Sequence, residues 1–469
     1  MKKQTLDTVL HTEDTNRSEK IRLVLRMSLP AILAQLTSIA MQYIDAGMVG
    51  SLGANATGAI GLVTSSTWLI GGVCIGMSTG FSVQVAQMVG ADRLKDASDV
   101  LRQAIRVLVC MGLVIGAAGV LISRPLPVWL GGEEEILDAA GMYFRIYCAS
   151  IPFALMRQMS SAMMQSSGDM RMPSILSGMV CALDVVLNFF LIFPTREVIL
   201  FGAARTIPGA GLGVTGAALG TALSEVIISG IMLYMVCFRN KKIALKLHKG
   251  SWKLQRQILK TAIRIAVPLS LDQIFMCSAY VVGTRIVAPL GTAAVAANSL
   301  AVTAESLCYM PGYGIGAAAT AIIGQTIGAK RQDLTRSFSR ISIYTGIALM
   351  ALTAVAMYFL APVIFGFLTS DETVASMGVE VLRIELLAEP LYGASICCAG
   401  VFRGAGDTLV PSIMNLVSMW CVRLVLAYLL VPRMGLMGYW AAMSIELCFR
   451  GILFLVRMHG GRWMKHKTI

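Results

Sequence analysis

The chain has 469 residues, of which 56% are hydrophobic and 14% charged, with a formal net charge of +13. Its mean hydropathy of +0.72 is too high for an ordinary water-soluble domain. Apolar runs recur from end to end, and each, as a helix of roughly 20 residues, is able to cross about 30 Å of hydrocarbon.

Segment 1–26 is polar. The first apolar run after it is long enough to remain as a helix, so no cleavable signal peptide is expected. Twelve helices are predicted, near residues 27–50, 58–90, 103–123, 138–164, 173–194, 211–238, 262–289, 295–327, 338–368, 379–401, 410–432 and 436–457. Gly, Pro and charged clusters punctuate them. The fold class is therefore an all-α polytopic membrane protein with twelve transmembrane helices.

Charge orients the stack. The segment "RNKKIALKLHKGSWKLQRQILK", residues 239–260, carries eight Lys or Arg and no acid. Arg93, Lys95 and Arg102 follow the second helix; Lys330, Arg331 and Arg336 follow the eighth; Arg462, Lys465 and Lys467 lie in the tail. The opposite links, "LGGEEEILD" and "SDETVASMGVE", are acidic. Positive residues stay on the cytoplasmic side, which puts both termini and the 239–260 link there, in a multi-pass protein of the plasma (cell inner) membrane. This topology accounts for the net positive charge, and no nucleic-acid partner is called for.

Eleven Cys are scattered through the apolar runs and form no CxxC. They read as small reduced hydrophobes, without disulfide or metal roles. The four His lie outside the apolar runs, which excludes a histidine proton relay within the membrane. No HExxH occurs, so the chain is not read as an enzyme.

Sliding the sequence on itself by 238 residues reveals a repeat. Pro30 meets Pro268, Gln35 meets Gln273, Leu52-Gly53 meets Leu290-Gly291, Gly76 meets Gly314 and Gln87 meets Gln325. Downstream, Arg145-Ile146 meets Arg383-Ile384, Pro152 meets Pro390, Gly168-Asp169 meets Gly406-Asp407, and "PSI" at 173 meets "PSI" at 411. The register slips near 196–210, where the first half has an extra loop. The organisation is a polar N-terminal segment (1–26), a first lobe (27–238), a basic linker (239–260), a second lobe (261–458) and a tail (459–469). Six helices per half make the two pseudo-symmetric bundles parallel repeats, about an axis along the membrane normal. Substrate in such a design binds between the lobes near the midplane, and rocking exposes it to each side in turn.

Matched residues are explained by the duplicated scaffold; unmatched polar ones are candidates for function. From Met27 to Gly50 the sole ionisable carboxylate is Asp45. A charge at mid-bilayer costs about 2.5–3.5 kcal/mol. Asp45 aligns with Gly283. Asp184 and Asn188 on the fifth helix share one face at i, i+4 and align with Val422 and Leu426. Thr221 lies on the sixth helix, with Glu225 one turn later. At about 1.5 Å per residue, Asp45, Asn188 and Thr221 reach similar depth in the outer half of the first bundle. Two acids close together in low dielectric take up a proton or hold a cation. Cation or proton coupling is therefore assigned to Asp45, Asp184, Asn188 and Thr221, and no metal is expected beyond Na⁺ at that site.

Other embedded charges rank below these. Glu305 on the eighth helix, and Asp272 with Arg285 as a polar pair on the seventh, are candidates to line the substrate cavity. Arg157 and Arg423 are expected to satisfy buried acids or carbonyls. Arg383, Glu385 and Glu389 are expected near the solvated outer end of the tenth helix. The two Gly-Asp pairs read as turns.

Three segments carry a resemblance to a known family. "DAGMVGSLGANATGAIG", "ESLCYMPGYGIGAAATAIIGQTIGA" and "GVFRGAGDTLVPSI" resemble the first-to-second helix segment, the eighth helix and the tenth-to-eleventh link of the multidrug and toxic compound extrusion (MATE) family. The resemblance implies export of small organic cations or amphipathic drugs against inward H⁺ or Na⁺, by a monomer in the lipid bilayer, with no cofactor beyond the coupling ion. One branch, DinF-like, uses a first-helix Asp, an Asn and an Asp one turn apart on the fifth helix, and a sixth-helix Thr. Asp45 and Thr221 match; Asp184 and Asn188 stand in exchanged order. The NorM-like branch has acids on its seventh and tenth helices, where this chain carries Met276 and Tyr392. The alternative is a lipid-linked oligosaccharide flippase of the same superfamily, which would favour a cavity lined with many Arg.

Overall fold

The computed structural model describes residues 6–12, 16–200, 203–248, 250, 252–369 and 371–465. A short helix, Leu6–Leu10, precedes the membrane helices. The first lobe comprises α1 (Arg17–Gly50), α2 (Ala54–Gly90), α3 (Leu94–Ile122), α4 (Glu134–Ser166), α5 (Arg171–Ile192) and α6 (Gly213–Tyr234). The second comprises α7 (Arg256–Val287), α8 (Thr292–Gly328), α9 (Gln332–Leu368) and α10, which is made of α10a (Glu372–Leu386) and α10b (Glu389–Ala405) bent by 58°. The chain then runs through Leu409–Val417, a π-helical turn at Ser418–Arg423 and Leu424–His459, with a break at Gly435 (φ 59°). Ser418 reaches Glu446 and Arg423 reaches Met443 across that break, so residues 409–434 (α11) and 436–459 (α12) fold back on each other. Among the described residues, twelve membrane helices result.

The duplication is visible in the backbone. The Leu-Gly pairs lead into α2 and α8, and their glycines take φ 109° at Gly53 and φ 98° at Gly291. A Cβ disfavours such angles. Among the described residues, Asp92 and Lys330, one repeat apart, are the positive-φ non-glycine residues, at 58° and 57°. Gly168 and Gly406 turn the chain at 95° and 78°, as the Gly-Asp pairs predicted. Asp169 caps the start of α5 by accepting from the Arg171 and Met172 amides.

Each lobe has its own apolar core. The first gathers Phe81, Leu101, Phe144, Leu155, Met159 and Met232; the second gathers Met350, Phe365, Leu382, Trp440 and Met443. The lobes meet along α2–α7 and along its pseudo-symmetric equivalent, α8–α1. There Gly76 faces Ser270, and Gly314 faces Ile32. A Cβ would lie 2.6 Å from a neighbouring atom in both places, so close backbone approach requires the missing side chain. Further along, Gln87 Nε2 donates to Gly404 O at 3.2 Å, and Gln325 Nε2 donates to Ser166 O at 2.7 Å. Gln87 and Gln325 are one repeat apart, as are Ser166 and Gly404. The lobes thus clasp each other reciprocally at the end where α2 and α8 finish.

Sequence and structure differ at four places. Helix α1 starts at Arg17, ten residues before the apolar run; hydropathy marks the embedded part, while the backbone stays helical through the basic turns before it. The extra first-lobe loop is an antiparallel hairpin, β1 (Pro194–Leu200) paired with β2 (Ala203–Ala210). The basic linker is docked: Ile243 and Ala244 are fully buried, Ser98 donates to Ile243 O at 3.1 Å, and Arg102 to Leu245 O at 3.2 Å. The tenth helix, expected as one span, is two.

Candidate functional site

Three of the four coupling candidates meet through one amide. Asn188 Nδ2 donates to Asp45 Oδ1 at 2.9 Å and to Asp184 Oδ2 at 3.0 Å. This bridges α1 to α5. The i, i+4 spacing of Asp184 and Asn188 on α5 makes the second bond local; Asp45 comes from the last two turns of α1. Asp184 and Asn188 are fully buried, and Asp45 is half-buried. Thr221 of α6 donates to Ala217 O at 3.2 Å, and its hydroxyl lies beside the Asp184 carboxylate.

Gly220 gives the site its shape. A Cβ there would sit 2.0 Å from Asn188 Oδ1, so the amide occupies the notch that a glycine leaves on α6. Tyr143 of α4 and Cys181 of α5 lie within electrostatic reach of the two carboxylates. Asp184 Oδ1 and Asn188 Oδ1 accept no hydrogen bond. Buried oxygens without donors cost free energy unless a cation or proton occupies them. Asp45, Asp184 and Asn188 with Thr221 therefore offer an all-oxygen, anionic pocket, suited to H⁺ or to a hard cation such as Na⁺. One turn along α6, Glu225 pairs with Arg157 at 2.5 Å. That ion pair accounts for both groups and leaves Asp45 and Asp184 without a positive partner of their own.

The second lobe lacks this arrangement at the equivalent place. Gly283, aligned with Asp45, faces the Tyr439 hydroxyl. Glu305 is 7% exposed and lines a narrow cleft with Tyr280, Tyr309, Tyr392, Arg423 and Arg450. Met276 and Tyr392, the positions where the NorM-like branch has acids, line the same cleft.

Two expectations are overturned. Asp272 and Arg285 are not a pair. Thirteen residues apart on one helix, they are separated by about 20 Å. Asp272 accepts from Asn415 Nδ2 at 3.0 Å, whereas Arg285 is exposed. Nor are Glu385 and Glu389 solvated: both are 0% exposed, because the bend in α10 carries them inward against α8. Sequence reasoning missed this cluster, and it missed Gly220 and Tyr143. A pair of Glu four residues apart beside Pro390, in an otherwise apolar run, was the available signal for the cluster.

Comparison with known proteins follows the same outline. The family model described as MatE matches residues 30–190 and again 268–429, with starts one repeat apart. A "Probable multidrug resistance protein NorM" of Thermotoga maritima is 25% identical over 453 residues, covering 95% of this chain and 94% of its own. A protein of the same name from Neisseria meningitidis serogroup A is 24% identical over 443 residues, covering 92% and 93%. Among solved structures, an outward-facing multidrug resistance MATE family transporter superposes with TM-score 0.87 at 20% identity, over 100% of both chains. A mutant of the Vibrio cholerae MATE transporter VcmN gives TM-score 0.86 at 19% identity, over 96% of this chain and 98% of that one.

Proposed function

We propose that this chain, which belongs to the MatE family of membrane transporters, is a secondary active exporter of small organic cations or amphipathic drugs. Inward H⁺ or Na⁺ binding at Asp45, Asp184, Asn188 and Thr221 drives the export. The observation that carries this reading is the Asn188 amide held between two carboxylates at 2.9 and 3.0 Å in one lobe only. A cation or proton entering there offsets one of the two negative charges and draws α1, α5 and α6 together. Because α1 also packs on α8, with Tyr43 donating to Thr303 O at 2.7 Å, a change in α1 reaches the other lobe directly. Ligand binding of this kind can shift the balance between two lobe arrangements by its difference in affinity for them.

Four of the named cross-lobe contacts, Gly76–Ser270, Gly314–Ile32 and the two glutamine bonds, run from the middle toward the ends of α2 and α8, and one, Tyr43–Thr303, lies toward the start of α8. The Lys and Arg that follow both helices favour the cytoplasm for the end where α2 and α8 finish. This supports a resting form closed on the cytoplasmic side, with the coupling pocket toward the outside and both termini inside the cell. The names of the relatives support drugs as cargo.

The test is efflux from proteoliposomes under separately imposed pH and Na⁺ gradients. Wild-type protein should transport under one of them. Asp45→Asn should keep expression and melting temperature and reduce gradient-driven efflux to the level of empty liposomes. Undiminished efflux by that variant would remove Asp45 from coupling.

A further inference from the structure

We propose that Glu305, Glu385 and Glu389 form a second cation site, in the second lobe, which binds a hard metal ion across the break in α10. The three carboxylates come from α8, the end of α10a and the start of α10b. One ligand oxygen from each lies within 4.8 Å of the others, which is the span across an ion coordinated at about 2.4 Å. Glu305 is 7% exposed, and Glu385 and Glu389 are 0%. Neither oxygen of Glu385 accepts a hydrogen bond, and Glu389 has only the weak thiol donor of Cys308 beside it.

Charge accounting leads to the same place. Arg450 is held by both oxygens of Glu446, at 2.7 and 2.8 Å. Arg423 is the remaining guanidinium in the cleft, set over the rings of Tyr280 and Tyr439. Three buried carboxylates facing one such base are short of two positive charges, and buried charge without compensation is not sustained. One divalent ion supplies both charges; one Na⁺ supplies them together with one retained proton. The donor set is all oxygen, as hard cations require.

The duplication makes the cluster specific to one lobe. One repeat earlier, Glu305, Glu385 and Glu389 become Thr67, Tyr147 and Ile151, and there the Tyr147 hydroxyl donates to Thr67 O at 3.0 Å. A neutral hydrogen bond serves the scaffold in the first lobe, so three acids are not needed to hold the fold. The break is also unmatched: α4 continues through Glu134–Ser166, while α10 bends 58° between Glu385 and Glu389. Interrupted membrane helices expose backbone oxygens at depth, which is where transporters place ions. An ion here would tie α8 to both halves of α10 and fix the bend. The residues differ from Met276 and Tyr392, and the site does not depend on Asp45.

The experiment is equilibrium binding of ²²Na⁺ and, separately, ⁴⁵Ca²⁺ to purified Asp45→Asn protein, in which the first-lobe carboxylate is removed. One equivalent of either ion should still bind, and Glu385→Gln or Glu389→Gln in that background should weaken it about tenfold or more. Glu385→Asp should restore part of the loss, which separates ligation from mere packing. Melting temperature and gel filtration of each variant establish that it is folded. If folded Asp45→Asn protein binds neither ion, or if the Gln variants bind as well as their parent, the site holds protons alone and the proposal falls. Because the readout is binding in the absence of Asp45, its failure leaves first-lobe coupling untouched, and failure of first-lobe coupling leaves it untouched in turn.

Discussion

At the scale of single residues, what surrounds a polar group decides what it does. Asp45 stood out in the sequence because nothing else ionisable shares its run. Asp184 and Asn188 stood out because they share one helix face and have Val422 and Leu426 as counterparts. Gly220 could not stand out, since one glycine among many carries no mark of the amide that fills its notch. The structure makes it testable. A methyl group at Gly220 would overlap Asn188 Oδ1 and push the amide from between the carboxylates. Overpacking of this kind costs about 1–3 kcal/mol. Gly220→Ala should therefore remain folded with a modestly lowered melting temperature and lose the stabilisation that the coupling ion gives the parent protein, read as the shift in melting temperature on adding Na⁺ or on changing pH.

At the scale of elements, hydropathy marked all twelve helices, because a chain crossing hydrocarbon must satisfy its backbone within each segment. It could not show where a helix breaks. Pro390 matches Pro152, yet α4 stays whole while α10 bends; the difference comes from what packs around each, which no single-segment pattern contains. The expectation that Glu385 and Glu389 meet solvent failed for that reason. The hairpin formed by α11 and α12 offers a cleaner case. Glu446 accepts two bonds from Arg450 and one from Ser418, all buried. Removing one partner leaves an uncompensated charge, at about 3–5 kcal/mol. Glu446→Ala should therefore lower stability by about that amount, whereas replacing Glu446 and Arg450 together with apolar residues of similar volume should cost much less. Thermal melts of the two variants in one detergent compare them directly.

At the scale of the whole molecule, the lobes are joined by contacts that occur twice. Gln87 and Gln325 each cross to the other lobe and satisfy a backbone carbonyl at the far side. A hydrogen bond of this sort contributes about 0.5–1.5 kcal/mol, so Gln87→Ala or Gln325→Ala should raise opening at that end about two- to tenfold, with the double variant close to the product of the two. Maleimide labelling of Ser166→Cys in each background measures the opening. The short helix Leu6–Leu10 braces the same end: Asp7 pairs with Lys242 of the linker at 2.5 Å, and Leu10 O accepts from Arg331 at 3.1 Å. The repeat was legible in sequence because Gln87, Gly90 and Gly76 recur at a fixed offset. That these recurring residues touch one another across the lobes was not, since an offset carries no distance.

The reciprocity of those contacts has a meaning for how the chain could be divided. Position 87 touches 404 while 325 touches 166, which is the pattern of an isologous interface, in which one patch serves both sides of a two-fold dimer. Two halves that already recognise each other in this manner do not need a covalent join to find their register. Separate polypeptides ending and starting within 239–260 should reassemble when co-expressed, and the fused gene product is, in its contacts, a dimer whose subunits have since been free to differ.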